Sequence, residues 1–227
     1  MCGRYTLQAT LEELVRQFHA EFLDPSLFKP RYNIAPSQDV AVVRLKPDSA
    51  QRELVRLRWG LIPSWAKDPK IVYSTINAKA ETVAEKPAFR SAFRTRRCLI
   101  PASGFYEWQQ EGRQKQPMYI RLRDRRPFAF AGLWDRWEPK DGEPIESCTI
   151  ITTEANELMK PIHNRMPVIL TLQDYSLWLD PATRPADALQ VLQKPYPDQD
   201  MEAYAVSKAV NSPRNDSPRC LEPVDAS

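Results

Sequence analysis

The sequence predicts an α+β fold in a single domain. It has a mixed or antiparallel β-barrel-like core, a sheet able to close on itself, with short helices at its periphery. Three observations predict it. Apolar segments of period two follow one another, joined mostly by short turns, which favours antiparallel or mixed pairing. An amphipathic helical segment stands near the start of the chain. Twenty-one prolines stand against six glycines, and prolines end elements and fix loops, so elements should be many and short. Regular βαβ alternation, GxGxxG and a P-loop are all missing from the sequence, which argues against a nucleotide-cofactor fold.

The elements follow in order. Thr10 to about Phe22 reads as a helix: Thr10 and Glu13 form a capping box, and Leu11, Leu14, Val15, Phe18 and Phe22 make an apolar stripe. Val40–Arg44 reads as a strand. In Glu53–Trp59, Val55, Leu57 and Trp59 alternate with Arg56 and Arg58, the period of a half-buried strand. Further strands are expected near 97–101, 104–109, 117–123, 127–133, 147–153, 167–171 and 202–206. Short helices are expected near 80–85, 88–93, 154–159, 172–179 and 185–193. Residues 44–52 and 138–146 are turn-rich but short enough to be hairpin loops. The tail from about Asn211 holds Pro213, Pro218 and Pro223, and from about Asp216 it should be loose.

Composition is that of an ordinary globular protein, with 227 residues, 42% hydrophobic and 27% charged. No run of 18 or more apolar residues appears, so no membrane helix is expected. A basic region followed by an apolar stretch is missing at the N-terminus, so the protein is expected in the cytosol, without a signal peptide. The four cysteines, Cys2, Cys98, Cys148 and Cys220, are scattered and read as free thiols. With only His19 and His163 besides, no zinc spacing is recognisable. Net charge is +3, too small by itself to imply a polyanionic partner. Residues 86–126, however, hold eleven basic and three acidic residues. Phe89, Phe93, Tyr106, Trp108 and Tyr119 are interleaved with them, a pattern that suits nucleic-acid backbone plus base stacking as well as a charged face around core aromatics.

Cys2 follows Met1 directly. A small second residue lets the initiator methionine be trimmed, leaving an α-amine and a thiol on one carbon skeleton. A free amine titrates near ~7.7–8.0 and a free thiol near ~8.5, so both would be partly deprotonated at neutral pH. Such a 1,2-aminothiol condenses with an aldehyde through its amine, and its thiol then closes a five-membered thiazolidine.

Six short motifs occur in order: Met1-Cys2-Gly3-Arg4-Tyr5, Arg31-Tyr32-Asn33-Ile34-Ala35-Pro36, Trp59-Gly60-Leu61-Ile62-Pro63, Ile76-Asn77-Ala78-Lys79-Ala80-Glu81-Thr82, Gly104-Phe105-Tyr106-Glu107-Trp108 and Ile162-His163-Asn164-Arg165-Met166-Pro167. Together they resemble the SOS-response-associated peptidase family, whose members sense abasic sites in single-stranded DNA. The resemblance spans residues 2–211 and leaves 212–227 as a polar, proline-containing tail. It implies a compact α+β domain with a barrel-like core and a positively charged groove ending at the N-terminal cysteine. It further implies a covalent thiazolidine crosslink between Cys2 and the lesion, and release of the chain's own Met1 by the same cysteine and glutamate.

The resemblance also implies roles for further residues. Glu107 would move protons to and from the amine and the carbinolamine. Phe105 with Tyr106 or Trp108 would desolvate it and raise its pKa. His163 would assist opening of the sugar ring. Asn77 would hold the amine or the sugar oxygen without altering charge. Arg4, Lys79 and Arg165 would contact phosphates. Lys79 stands where the family often has arginine, keeping the charge and losing the bidentate fork. Pro63 and Trp65 would form a wedge that stacks on a base. Asn33, Ser207 and Asn211 would line the same pocket. His19 reads as a structural residue of the helix. The implied partner is single-stranded DNA containing abasic sites, with no metal, no cofactor and no membrane. The location would be cytoplasmic, and at the nucleoid when DNA is bound, with the protein a monomer.

Two other readings compete. An N-terminal-cysteine amidohydrolase would use the amine as base toward a small amide. A non-catalytic single-stranded DNA-binding module would bind in a salt-sensitive way that Cys2→Ala leaves unchanged. The basic stretch opposes the first, and the set Asn77, Glu107 and His163 opposes the second.

Overall fold

The computed structural model describes residues 2–22, 29–46 and 49–224. Its strands are β1 (Arg4–Leu7), β2 (Ala20–Phe22), β3 (Arg31–Ile34), β4 (Asp39–Leu45), β5 (Arg52–Trp59), β6 (Asn77–Lys79), β7 (Arg97–Ala102), β8 (Gly104–Glu111), β9 (Gln114–Leu122), β10 (Phe128–Trp137), β11 (Ile145–Glu154), β12 (Arg165–Pro167), β13 (Ile169–Leu170) and β14 (Met201–Ala205). The α-helices are α1 (Leu11–Phe18), α2 (Arg90–Thr95), α3 (Asp174–Leu179) and α4 (Pro185–Leu192). Among the described residues, no helix is long and apolar enough to cross a membrane.

The strands close into a ring. β4 pairs antiparallel with β5 and β7, β7 with β10, and β10 with β11. β11 then pairs parallel with β5 through Ser147↔Arg58 and Cys148↔Trp59. A closed ring leaves its own strands without free edges and fills its interior with side chains. A second sheet, ordered β14-β9-β8-β1-β3, packs one face against the barrel. Tyr5 and Phe105, opposite each other in register, point into the main core. There Tyr5 meets Trp59 and Phe130 edge-on, with ring centroids 5.4 and 5.7 Å apart. The alternate residues Tyr106 and Tyr119 point to the other face. They form a second cluster with Val206, Val210 and Cys220. Period two along β8 therefore feeds two cores at once.

The expected α+β barrel is present, and several elements differ from expectation. The helix placed at Thr10 to Phe22 has its capping box but stops at Phe18. His19 caps it in the left-handed region (φ 50°, ψ 44°), and Ala20–Phe22 instead pairs parallel with β5. Tertiary pairing there overrides an apolar period that continues to Phe22. Residues 80–85 form successive turns after β6, because the seven residues between β6 and Pro87 do not repay helix nucleation. The helix expected at 154–159 is missing too: Glu154 ends β11 and 157–160 are turns, where Asn156 Oδ1 accepts the Met159 N–H at 3.0 Å, a side-chain substitute for a helical bond. The strand near 167–171 is split in two. Val168 donates to Ile151 O of β11 and accepts from Ala131 N of β10, both at 2.9 Å, so the chain changes partner at that residue. The short strands β1, β3 and β6 lie inside motifs and have too few residues for periodicity to reveal.

One further expectation is corrected, and one open alternative is narrowed. The tail is anchored through Val224. Asp216 accepts the backbone N–H groups of Tyr32 and Asn33 at 2.6 and 3.0 Å and pairs with Arg31. Cys220 is buried, and Val206 bridges Pro223. The basic stretch at 86–126 is not one nucleic-acid platform. Phe89, Phe93, Tyr106 and Tyr119 are core residues, and buried Arg97 donates to the carbonyls of Trp178, Phe93 and Asp180. Arg121 pairs with Glu202 and Arg96 with Asp135.

The seam between the two β8 faces is tight. A Cβ on Gly104 would lie 2.3 Å from Tyr119 Cζ and Oη and 2.7 Å from Ile120 O. Tyr119 cannot swing clear, because it is buried and its hydroxyl bonds Thr6 Oγ1 at 2.8 Å. Gly104→Ala should therefore cost about 1–3 kcal/mol. The expected outcome is a Tm lower by about 2–4 °C for each kcal/mol in a domain of this size. A melt by circular dichroism checks it, and an unchanged Tm would contradict the close packing.

Candidate active site

The site is assembled where the first strand meets β8. β1 lies between β8 and β3, with Arg4 opposite Tyr106. Continuing that antiparallel register by one residue sets Gly3 opposite Glu107. Cys2 precedes the strand, is fully buried, and its Sγ lies 4.0 Å from the Arg4 carbonyl. Glu107 is only 3% exposed. The thiol and the carboxyl are electrostatically coupled: burial first, and then the Glu107 charge, push the Cys2 thiol far above its ordinary value. This differs from the partly ionised thiol expected for a free cysteine, because the thiol here is desolvated. Burial likewise raises the Glu107 carboxyl, against a bond from the Trp108 backbone.

Glu107, Trp108, Lys115, His163 and Asn211 line a cavity of about 530 Å³. His163 enters it from the turn that precedes β12. The Arg165 amide N–H donates to His163 Nδ1 at 2.9 Å. An amide nitrogen can only donate, so Nδ1 accepts and the neutral ring carries its proton on Nε2. The Arg165 carbonyl, 3.1 Å from the same nitrogen, would require the opposite tautomer, which the fixed amide hydrogen opposes.

Asn77 lies on the barrel wall and is not among the residues that line the cavity. It begins β6, which pairs parallel with β11 at Ile150. The neighbouring Ile76 carbonyl accepts Trp59 Nε1–H at 2.9 Å, and Trp59 packs on Tyr5. Asn77 Nδ2 donates to the Ile76 carbonyl at 3.0 Å, while its Oδ1 is buried without a hydrogen-bond partner. A buried orphan acceptor is uncommon and asks for a donor.

The remaining expected residues fall into three places. Arg4, Asn33, Ser207 and Asn211 build a polar strut behind the cavity. Arg4 donates to Asn33 Oδ1 (2.8 Å), Val210 O (2.7 Å) and Asn211 O (3.1 Å). Buried Asn33 shares its amide hydrogens among Val210, Ser212 and Asn215 carbonyls. Ser207 Oγ caps the short 3-10 turn Lys208–Asn211 by accepting from Ala209 N. Asn211 Oδ1 accepts Trp108 Nε1–H at 2.8 Å. Arg165 and Lys79 lie on β12 and β6, the two strands that flank the end of β11. Arg165 is engaged by Glu81 and Lys79 is exposed. Trp65, in the loop after β5, is 57% exposed and lies outside the cavity lining.

The fold thus brings Cys2, Glu107, His163 and Asn211 together, and holds Arg4 and Asn33 one layer behind. Sequence reading missed Lys115 as a lining residue, and it named Trp108 only as a neighbour of Glu107. The signal for Lys115 lies in the pairing of β8 with β9, which sets Lys115 opposite Gln110 and Pro117 opposite Trp108. Among the described residues, no group of three or more His, Cys, Asp and Glu is placed to hold a metal ion.

The chain is similar to known proteins over nearly its whole length. The family described as "SOS response associated peptidase (SRAP)" matches residues 1–213. The abasic site processing protein YoqW of Bacillus subtilis (strain 168) is 49% identical over 224 residues, covering 98% of this chain and 99% of the relative. The abasic site processing protein HMCES of Gallus gallus is 36% identical over 241 residues, covering 92% and 71%. A crystal structure of a Bacteroides thetaiotaomicron protein superposes with a TM-score of 0.88 at 30% identity, covering 98% of this chain and all of the other.

The raised Glu107 carboxyl carries a stability signature. A group whose folded-state pKa lies above its unfolded value stabilises fully below the unfolded value. That contribution is lost as pH rises through the folded-state value. Glu107→Gln should therefore gain stability relative to the parent between pH 4 and pH 8. An effect of about 1 kcal/mol moves Tm by about 2–4 °C. Melts of both proteins at both pH values test this, and an equal Tm difference at the two would contradict it.

Proposed function

The chain belongs to the SOS response associated peptidase family, and on that premise we propose that it processes abasic sites in single-stranded DNA by trapping them covalently on Cys2. The observation that carries the reading is the buried coupling of Cys2 with Glu107, beside a cavity that Glu107 shares with His163.

The first step frees the nucleophile. Hydrolysis of the Met1–Cys2 peptide bond consumes one water, releases methionine and leaves an α-amine on Cys2. Release by Cys2 and Glu107 themselves is part of the proposal. An abasic site in its open form presents an aldehyde. The Cys2 amine adds to the carbonyl carbon, a proton passes to the oxygen, and loss of water gives an imine. The sulfur then bonds the imine carbon, the thiol proton passes to nitrogen, and a thiazolidine closes. The net change is aldehyde plus aminothiol to heterocycle plus one water.

The residues divide this work. Glu107, its carboxyl raised by burial, takes a proton from the incoming amine and returns one to expel water. A thiol held protonated also suits the order, because the amine then attacks first. His163, with its proton on Nε2, donates toward the sugar ring oxygen as the ring opens. Asn77 Oδ1 accepts from the freed amine or a sugar hydroxyl. Arg4 and Asn33 fix the cavity wall, Lys79 and Arg165 meet phosphates, and Trp65 stacks on a base next to the lesion.

The test mixes the Met1-free protein with a single-stranded oligonucleotide bearing one abasic site and runs a denaturing gel. A retarded band is expected, and its absence overturns the reading. Cys2→Ala should bind the oligonucleotide yet leave no heat-stable band, whereas a small-amide hydrolase would give no band in any form. Glu107→Ala, once an added aminopeptidase has removed its Met1, should slow crosslinking by about 10²–10⁴-fold while leaving DNA affinity nearly unchanged. Intact mass of the same variant before that treatment should show Met1 retained.

A further inference from the structure

Arg165 does not present an open fork to a phosphate. Its Nη1 and Nη2 donate to Glu81 Oε1 and Oε2 at 2.6 and 2.9 Å, a parallel two-bond geometry that suits carboxylate and phosphate alike. Nη2 also donates to the Thr152 carbonyl at 2.7 Å, and Nε is buried without a partner. The Arg165 side chain is 15% exposed and that of Glu81 is 46% exposed, so the carboxylate covers the guanidinium on the solvent side. Lys79, two residues before Glu81, is exposed, and its charge acts on the Glu81 carboxylate. Glu81 thus sits between two cations as a DNA phosphate would.

We propose that Glu81 is a resident competitor for the phosphate-binding cations: its carboxylate occupies the Arg165 fork in the free protein, and DNA binds by displacing it. The inference rests on the reading above, in which Lys79 and Arg165 contact the DNA backbone. With Glu81 half-exposed, the pair is a modest contributor to folding, so stability alone does not explain the bidentate geometry. Arg165 is fixed from behind by the Thr152 carbonyl, and Glu81 is the more exposed partner, so exchange moves the carboxylate and leaves the arginine in place. The displaced charge then stays beside the DNA and opposes it. The consequence is a tempered affinity for undamaged strands, from which the protein must dissociate before it meets a lesion.

The sign of one substitution decides the matter. Binding of an undamaged single-stranded oligonucleotide, which offers no aldehyde, is followed by fluorescence anisotropy across a salt series. Glu81→Gln should tighten binding on the order of fivefold. It should also steepen the salt slope by about 0.7, the increment for neutralising one further phosphate of a single strand. Glu81→Ala should do the same, and both should melt within a few degrees of the parent. In an Arg165→Ala background, Glu81→Gln should tighten binding by less than it does in the parent. Unchanged or weaker binding by both Glu81 variants at parental Tm would make Glu81 an organiser of Arg165 and overturn the proposal. A parent protein that binds no single-stranded DNA would instead overturn the functional reading, and this inference with it.

Discussion

The site depends on one strand, β11, and on the short parallel contact through which it closes the barrel. Ser147 and Cys148 meet Arg58 and Trp59, and the Cys148 carbonyl accepts the Gly60 N–H at 2.9 Å. Gly60 has φ 124°, and a Cβ there would lie 2.9 Å from Val72 O, so only glycine permits the turn. Past this closure β11 changes partners. On one side it takes β6, carrying Asn77 and Lys79, and on the other β12, carrying Arg165 just after His163. Residues from distant motifs therefore reach one end of one strand because the ring is shut. Trp59 ties this end to the other half of the site, with its ring on Tyr5 and its N–H on Ile76 O.

Burial supplies much of the chemistry. A carboxyl and a thiol share a desolvated corner: burial raises both, and the Glu107 charge pushes the thiol up further. Such a corner favours uncharged forms until a substrate or a freed amine alters the balance. The polar strut behind it is the opposite case, with Arg4 and Asn33 satisfied by backbone carbonyls of the 210–215 segment. The tail is thereby part of the site wall, which its polar, proline-rich composition does not reveal.

Much of this is legible in the chain, for specific reasons. The strands with clean alternation stand out because one face of each is buried. The short strands β1, β3 and β6 are invisible to periodicity, and only the motifs point to them. The end of α1 is misleading in sequence because Phe22 keeps the helical period while the backbone after His19 pairs with β5. The aromatics among the basic residues at 86–126 could face DNA or the core. Only the packing of Phe93 on Trp178 and Tyr106 on Tyr119 assigns them to the interior. Glu81 gives no functional signal in sequence because its partner lies 84 positions away.

β1 is first in the chain and yet central in its sheet. Its neighbour β8 does not exist until more than a hundred residues have been made, and the hairpin-like pair with β3 alone is marginal. At about 5–20 residues per second, the leading segment therefore leaves the ribosome several seconds before its slot is available. A separate aminopeptidase would act on the open end within that interval, whereas release by Cys2 and Glu107 would have to wait until β8 supplies the glutamate. Once β8 has been synthesised, docking withdraws Cys2 from bulk solvent.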